Sequence, residues 1–128
     1  MRQSKQDTLI KQLLAIARAA GDAIMSVYVG GAVNIQRKED ASPVTEADLA
    51  AHRVLASQLT PLLPNCPVVS EEDSASLAYR KDEGQFWLID PLDGTKEFIA
   101  RNDEFTVNIA LIEEGRSVIG VVYAPAID

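Results

Sequence analysis

Two short acidic runs hold the residues of this chain best suited to chemistry, Glu71-Glu72-Asp73 and Asp90-Pro91-Leu92-Asp93. Each follows an apolar run. Carboxylates crowded at the end of a buried strand raise one another's pKa and resist ionisation. A hard divalent cation removes that conflict. Magnesium prefers oxygen ligands in an octahedron, commonly one or two carboxylates with waters and a substrate phosphate. Pro91 fixes φ and removes a donor, so the chain turns after Asp90. Asp90 and Asp93 then converge, with the carbonyl of Leu92 between them as a third oxygen. Gly94 lets the backbone come close to an anion. Thr95 adds a hydroxyl. If it opens a short helix through Phe98, the N–H groups of Gly94 and Thr95 stand at the positive helix end, where phosphate binds. An anion-binding turn directly after a metal-binding turn is what hydrolysis of a phosphate ester needs.

Each piece alone has a plainer reading. Asp-Gly-Thr is a common turn before a helix cap. Glu71 to Asp73 alone is a solvated loop, and Asp48 alone a capping residue. The combination, two acidic clusters at strand ends plus an anion turn, points to a metal-dependent phosphatase. A haloacid-dehalogenase-type phosphatase also carries Asp and Asp-Gly-Thr after a strand, but with one residue between its aspartates; two separate Asp90 from Asp93. A non-enzymatic protein that binds magnesium or anions stays open as an alternative. His52 reads as a surface or boundary residue, and 101–103 as a charged turn before the strand, with a place bordering the substrate as its alternative.

Composition limits the partners. The 128 residues carry a formal net charge of -7. That excludes a nucleic-acid-binding surface, because phosphate backbones call for basic patches. It does not exclude small phosphate esters, since bound cations invert the local field. Cys66 is the one cysteine, so no intrachain disulfide forms and no zinc site of nitrogen and sulfur ligands can be built. No apolar run approaches the roughly 20 residues that span a bilayer, and the polar start lacks the core of a signal peptide. The expected setting is reducing and cytoplasmic, with a peripheral place at the inner membrane as the alternative.

The elements that must position these residues follow from periodicity. Leu9, Leu13, Ile16, Ala17, Ala20, Ile24 and Val27 form one stripe at helical spacing over 8–28, with Ser4 or Asp7 as cap and Gly30-Gly31 as stop. Residues 33–36 make a short strand candidate, and 37–42 a polar loop. A second helix is expected over 43–63, with Thr45 and Asp48 as a capping box, a stripe of Ala51, Leu55, Leu59 and Leu62, and an end eroded by Pro61 and Pro64. Residues 67–70 form a short apolar run, 74–84 a polar surface loop, and 86–89 a continuous apolar strand ending abruptly at Asp90. Phe105, Val107, Ile109 and Leu111 alternate with Thr106, Asn108, Ala110 and Ile112. A turn at 113–116 leads to a returning strand over 117–123. The order predicts one α+β domain over 1–128, an antiparallel sheet covered by two helices on one face.

Trp87-Leu88-Ile89-Asp90-Pro91-Leu92-Asp93-Gly94-Thr95 resembles the central signature of the inositol monophosphatase superfamily. Val69-Ser70-Glu71-Glu72-Asp73 resembles its first metal motif, Ser42 to Asp48 the opening of its second helix, and Gly120 to Pro125 the closing strand of its first half. Lys96 to Ile99 and Glu104 to Ile112 are similar to the CysQ-type branch, the 3'(2'),5'-bisphosphate nucleotidases, which act on 3'-phosphoadenosine 5'-phosphate. The resemblance implies the amino-terminal half of a layered αβαβα sugar-phosphatase fold. It implies two magnesium ions, with a third as an option. Glu71, Asp90 and the Leu92 carbonyl would hold one ion, and Asp90 and Asp93 the other, with Asp90 bridging. Glu72 would orient waters, and Asp48 and Thr95 would polarise the attacking one. Gly94 and Thr95 would hold phosphate oxygens, with Glu71, Leu92 and Asp93 also lining the substrate site. Lys38 reads as a solvated lysine, with a place beside the phosphate or a third metal as its alternative. The family's second half, with a further aspartate in a Trp-Asp motif and most of the nucleoside pocket, has no counterpart here. The expectation is a truncated chain, weak at the second metal, whose exposed apolar surface favours self-association.

Overall fold

The computed structural model describes residues 2–30, 35–37, 43–70, 84–94 and 103–127. The elements run α1 (Arg2–Gly30), β1 (Ile35–Arg37), β2 (Pro43–Thr45), α2 (Glu46–Leu59), β3 (Val68–Ser70), β4 (Gln85–Asp93), β5 (Thr106–Glu113) and β6 (Arg116–Tyr123).

The apolar stripe of α1 is the one its spacing predicts. Leu13, Ile16, Ala17, Ala20 and Ile24 are buried, and Leu9 and Val27 pack half-buried against the same core. The helix begins at Arg2, so Ser4 and Asp7 lie within it rather than capping it. Tyr123 of β6 comes so close to α1 that a Cβ on Gly21 would lie 2.6 Å from its Cε2. Only a residue without a side chain lets helix and strand approach in this way.

The second helix is shorter than its pattern. Pro43–Thr45 is paired antiparallel with Ile35–Arg37, and the helix starts at Glu46. At its other end Pro61 has no N–H to continue the ladder. The helix stops at Leu59, and Leu62 N–H closes a tight turn onto the Leu59 carbonyl at 3.0 Å. The Thr60 hydroxyl donates to the Ala56 carbonyl at 2.7 Å, satisfying one of the last carbonyls. Ala51, Leu55 and Leu59 are fully buried.

The α+β reading holds, with one refinement. The four-stranded sheet has the order β3-β4-β5-β6 and is mixed: β4, β5 and β6 are antiparallel neighbours, but β3 runs parallel to β4. The long segment between Ser70 and Gln85 makes this possible, because a parallel neighbour needs a crossover of a dozen or more residues. α1 packs on β5 and β6, and α2 on β3 and β4. Trp87, Ile89, Val107, Ile109 and Leu111 alternate into the core beneath the helices. The β5–β6 turn has Glu114 at φ 50° and Gly115 at φ 79°. Positive φ at both central residues is the turn whose twist matches the flanking strands. No helix among the described residues is long and apolar enough to cross a membrane.

Candidate metal and phosphate site

The central strand does not end at Asp90; β4 continues through Pro91 and Leu92 to Asp93. Its pairing with β5 is irregular at that point. Asp90 faces Asn108 and Asp93 faces Thr106, so three steps on β4 answer two steps on β5. The extra residue is a β-bulge. In a regular strand residues three apart point to opposite faces. The bulge cancels that alternation and turns Asp90 and Asp93 toward one face. Their partners confirm the side: Asn108 Nδ2 donates to Thr106 Oγ1 at 3.0 Å, so those two side chains share a face. Pro91, which has no N–H to give a ladder, is tolerated at a bulge. The Leu92 side chain is 3% exposed within the core and anchors the bulge from below. Gly94 follows at φ 92°, a conformation that L side chains rarely adopt.

The first acidic run is approached through β3. Val68, Val69 and Ser70 pair in parallel with Trp87, Leu88 and Ile89. The residue before Glu71 therefore lies beside the residue before Asp90. Glu71, Glu72 and Asp73 themselves, with Thr95 and Lys38, lie outside the described residues. Asp48 is in the first turn of α2, 2% exposed, on the helix that packs against β3 and β4. The positive end of a helix dipole favours a carboxylate there. The structure thus brings Asp90, Leu92, Asp93 and Gly94 together at one end of β4 and sets Asp48 on the neighbouring helix. His52 is half-buried on α2, as expected of a boundary residue; its Nδ1 is buried without a hydrogen-bond partner among the described residues.

Among the described residues no group of three or more His, Cys, Asp or Glu side chains is gathered tightly enough to hold a metal. The donors that are placed still fit a hard cation. They are oxygens only, two of them carboxylates turned to one face by the bulge, and the strand that precedes the other acidic run in sequence is paired in parallel beside them. Beside Asp90 the sheet face away from the helices carries a concavity of about 380 Å³, bordered by Val69, Leu88, Asn108, Ala110, Gly120 and Val122. Sequence pattern alone does not single out Asn108 and Thr106, which share this face. The available signal was their polar character within a strand whose other face is apolar.

Comparison with known proteins gives these features a context. The model of the inositol monophosphatase family matches residues 5–128. The chain is 56% identical over 120 residues to the 3'(2'),5'-bisphosphate nucleotidase CysQ of Salmonella typhimurium, covering 93% of this chain and 49% of the relative. It is 53% identical over 121 residues to the Escherichia coli K12 protein of the same name, with 94% and 49% covered. The chain therefore spans about half the length of these relatives. Among solved structures it is similar to CysQ from Bacteroides thetaiotaomicron, with a TM-score of 0.71, 40% identity and coverage of 92% and 42%. The extragenic suppressor protein suhB from Bartonella henselae superposes with a TM-score of 0.81 at 27% identity, covering 93% of this chain and 46% of that one.

Proposed function

This chain belongs to the inositol monophosphatase family, and from that premise we propose that it carries the metal- and phosphate-binding half of a magnesium-dependent phosphomonoesterase. The substrate we infer is 3'-phosphoadenosine 5'-phosphate, hydrolysed to AMP and phosphate in the cytoplasm. The observation that carries the proposal is the bulge that turns Asp90 and Asp93 to one face of β4, beside the strand that leads into Glu71. Identity above 50% to proteins named as bisphosphate nucleotidases supports the substrate class.

Two magnesium ions, or three, would supply an activated water and neutralise charge on the phosphoryl group. The residues of the chain have separate tasks around them. Asp90 would bridge the two sites. Glu71 and the Leu92 carbonyl would complete one site, and Asp93 would contribute to the other. Glu72 would orient bound waters. Asp48 and Thr95 would accept hydrogen bonds from the attacking water and hold it in line. The amides of Gly94 and Thr95 would bind phosphate oxygens. Leu92, whose side chain is locked in the core, keeps the turn in place.

The test is phosphate release from 3'-phosphoadenosine 5'-phosphate, and in parallel from an inositol monophosphate, with and without magnesium. An Asp90→Asn chain is the control. The expected result is weak magnesium-dependent release from the bisphosphate that disappears in the control. Preference for the inositol phosphate would move the assignment to the inositol-phosphatase branch. Magnesium binding without release from either substrate would assign a non-catalytic magnesium- and anion-binding half.

We also propose that two copies of the chain associate through the outer face of the sheet. Val122 is 71% exposed there, next to Gly120 and Ala110. Sedimentation across a concentration series tests this: Val122→Lys should shift the chain toward monomer, and an unchanged distribution would rule the face out.

A further inference from the structure

Asn108 lies opposite Asp90 in the β4–β5 register, and both border the concavity on the outer sheet face. Directly opposed residues of an antiparallel pair share a face, with Cβ atoms roughly 4.5–5.5 Å apart. The Asn108 amide is braced, because its Nδ2 donates to Thr106 Oγ1 at 3.0 Å. Thr106 in turn lies opposite Asp93. An amide–hydroxyl pair on β5 therefore matches the bulge on β4, with one member facing each carboxylate. The rest of this face gives the pair no other task. Its neighbours Leu88, Ala110, Gly120 and Val122 are apolar or lack a side chain.

An asparagine amide has two N–H donors and one carbonyl acceptor. The bond to Thr106 uses one donor and leaves a second N–H on a residue that stands directly opposite Asp90. We propose that Asn108, braced by Thr106, is a positioning residue for the metal-binding carboxylates. Its second N–H would hold the Asp90 carboxylate oriented toward the metal site. The inference rests on the reading of Asp90 as the bridging ligand. Groups that orient a metal ligand in this way typically contribute a factor of roughly 10–100 in metal affinity.

Manganese, observed by electron paramagnetic resonance, serves as the probe for the magnesium site in the full chain. The variants are Asn108→Ala, Asn108→Leu, Thr106→Val and Asp90→Asn. Leu keeps the branched outline of Asn108, at larger volume, without a donor, and Val keeps the shape of Thr106 without its oxygen. Both Asn108 variants should raise the Kd about tenfold or more, and Thr106→Val by less, while the unfolding midpoint of the metal-free chain stays in place. A merely structural asparagine would move the midpoint and not the Kd. Asn108 variants that bind manganese as tightly as the parent, with Asp90→Asn abolishing binding, would overturn this inference alone. Parent-like binding by Asp90→Asn, or no binding by the parent, would overturn the metal reading and this inference with it.

Discussion

Ser70, the last residue of β3, pairs with Ile89 in parallel register, and in the sequence an acid follows each of them. Neighbouring strands lie roughly 4.8 Å apart, so the residues that precede the two acidic runs in sequence sit side by side. The pairing depends on Val69, which is fully buried. Val69→Ala should lower stability by about 2 kcal/mol from lost burial, and should weaken magnesium binding as β3 loosens. Urea unfolding and calorimetry on the same sample check the two effects together.

Asp90 is the shared carboxylate of the proposed site. Asp90→Asn keeps the shape and the strand pairing but removes the charge that attracts a cation. Calorimetric magnesium binding should vanish while the unfolding midpoint changes little. Unchanged affinity would remove Asp90 from the metal assignment.

Gly94 sits at φ 92°. A side chain in the left-handed region costs roughly 1–2 kcal/mol. Gly94→Ala should lose about that much stability, and should weaken inorganic phosphate binding more than magnesium binding, because the amide after the bulge shifts. Equal loss of both ligands would mean that the turn serves the metal alone.

At the helix–sheet contact, Gly21→Ala would place a Cβ 2.6 Å from Tyr123 Cε2 and 3.1 Å from Pro125 Cβ. Alanine favours a helix interior by about 1 kcal/mol over glycine, whereas overpacking typically costs 1–3 kcal/mol. The expected net is a loss of about 1 kcal/mol, read as a lower Tm. A gain in Tm would show that the Tyr123 ring yields without strain.

Burial, with the negative charge of Glu113 adding to it, pushes the Cys66 thiol from 9.0 up to about 11. The folded chain thus holds this proton more tightly than the unfolded chain. The resulting stability is complete below about pH 9 and is lost as pH rises through about 11, a change of about 2–3 kcal/mol. Comparison with Cys66→Ala isolates it: the stability difference between parent and variant should shrink across that window. At pH 8 a thiol reagent should modify the folded chain slowly and the urea-unfolded chain fast.

Much of this protein was legible locally. The stripe of α1, the alternation of β5 and the Glu114-Gly115 turn are written in residues a few positions apart, because helix period, strand period and turn chemistry are short-range properties. The acidic runs, their oxygen chemistry and the position of Gly94 could be read the same way. Three features could not. Pro43–Thr45 continued the pattern of α2 yet became a strand, because β1 offered it a partner. The strand expected to stop at Asp90 ran on to Asp93 through a bulge, because β5 supplied Asn108 and Thr106 as partners on one face. And β3 lay parallel to β4, a direction no periodicity encodes. Strand partner, direction and register are set by contacts between residues far apart in the chain. Residue types therefore determined by themselves which chemistry is available, and tertiary pairing decided which of the carboxylates share a face.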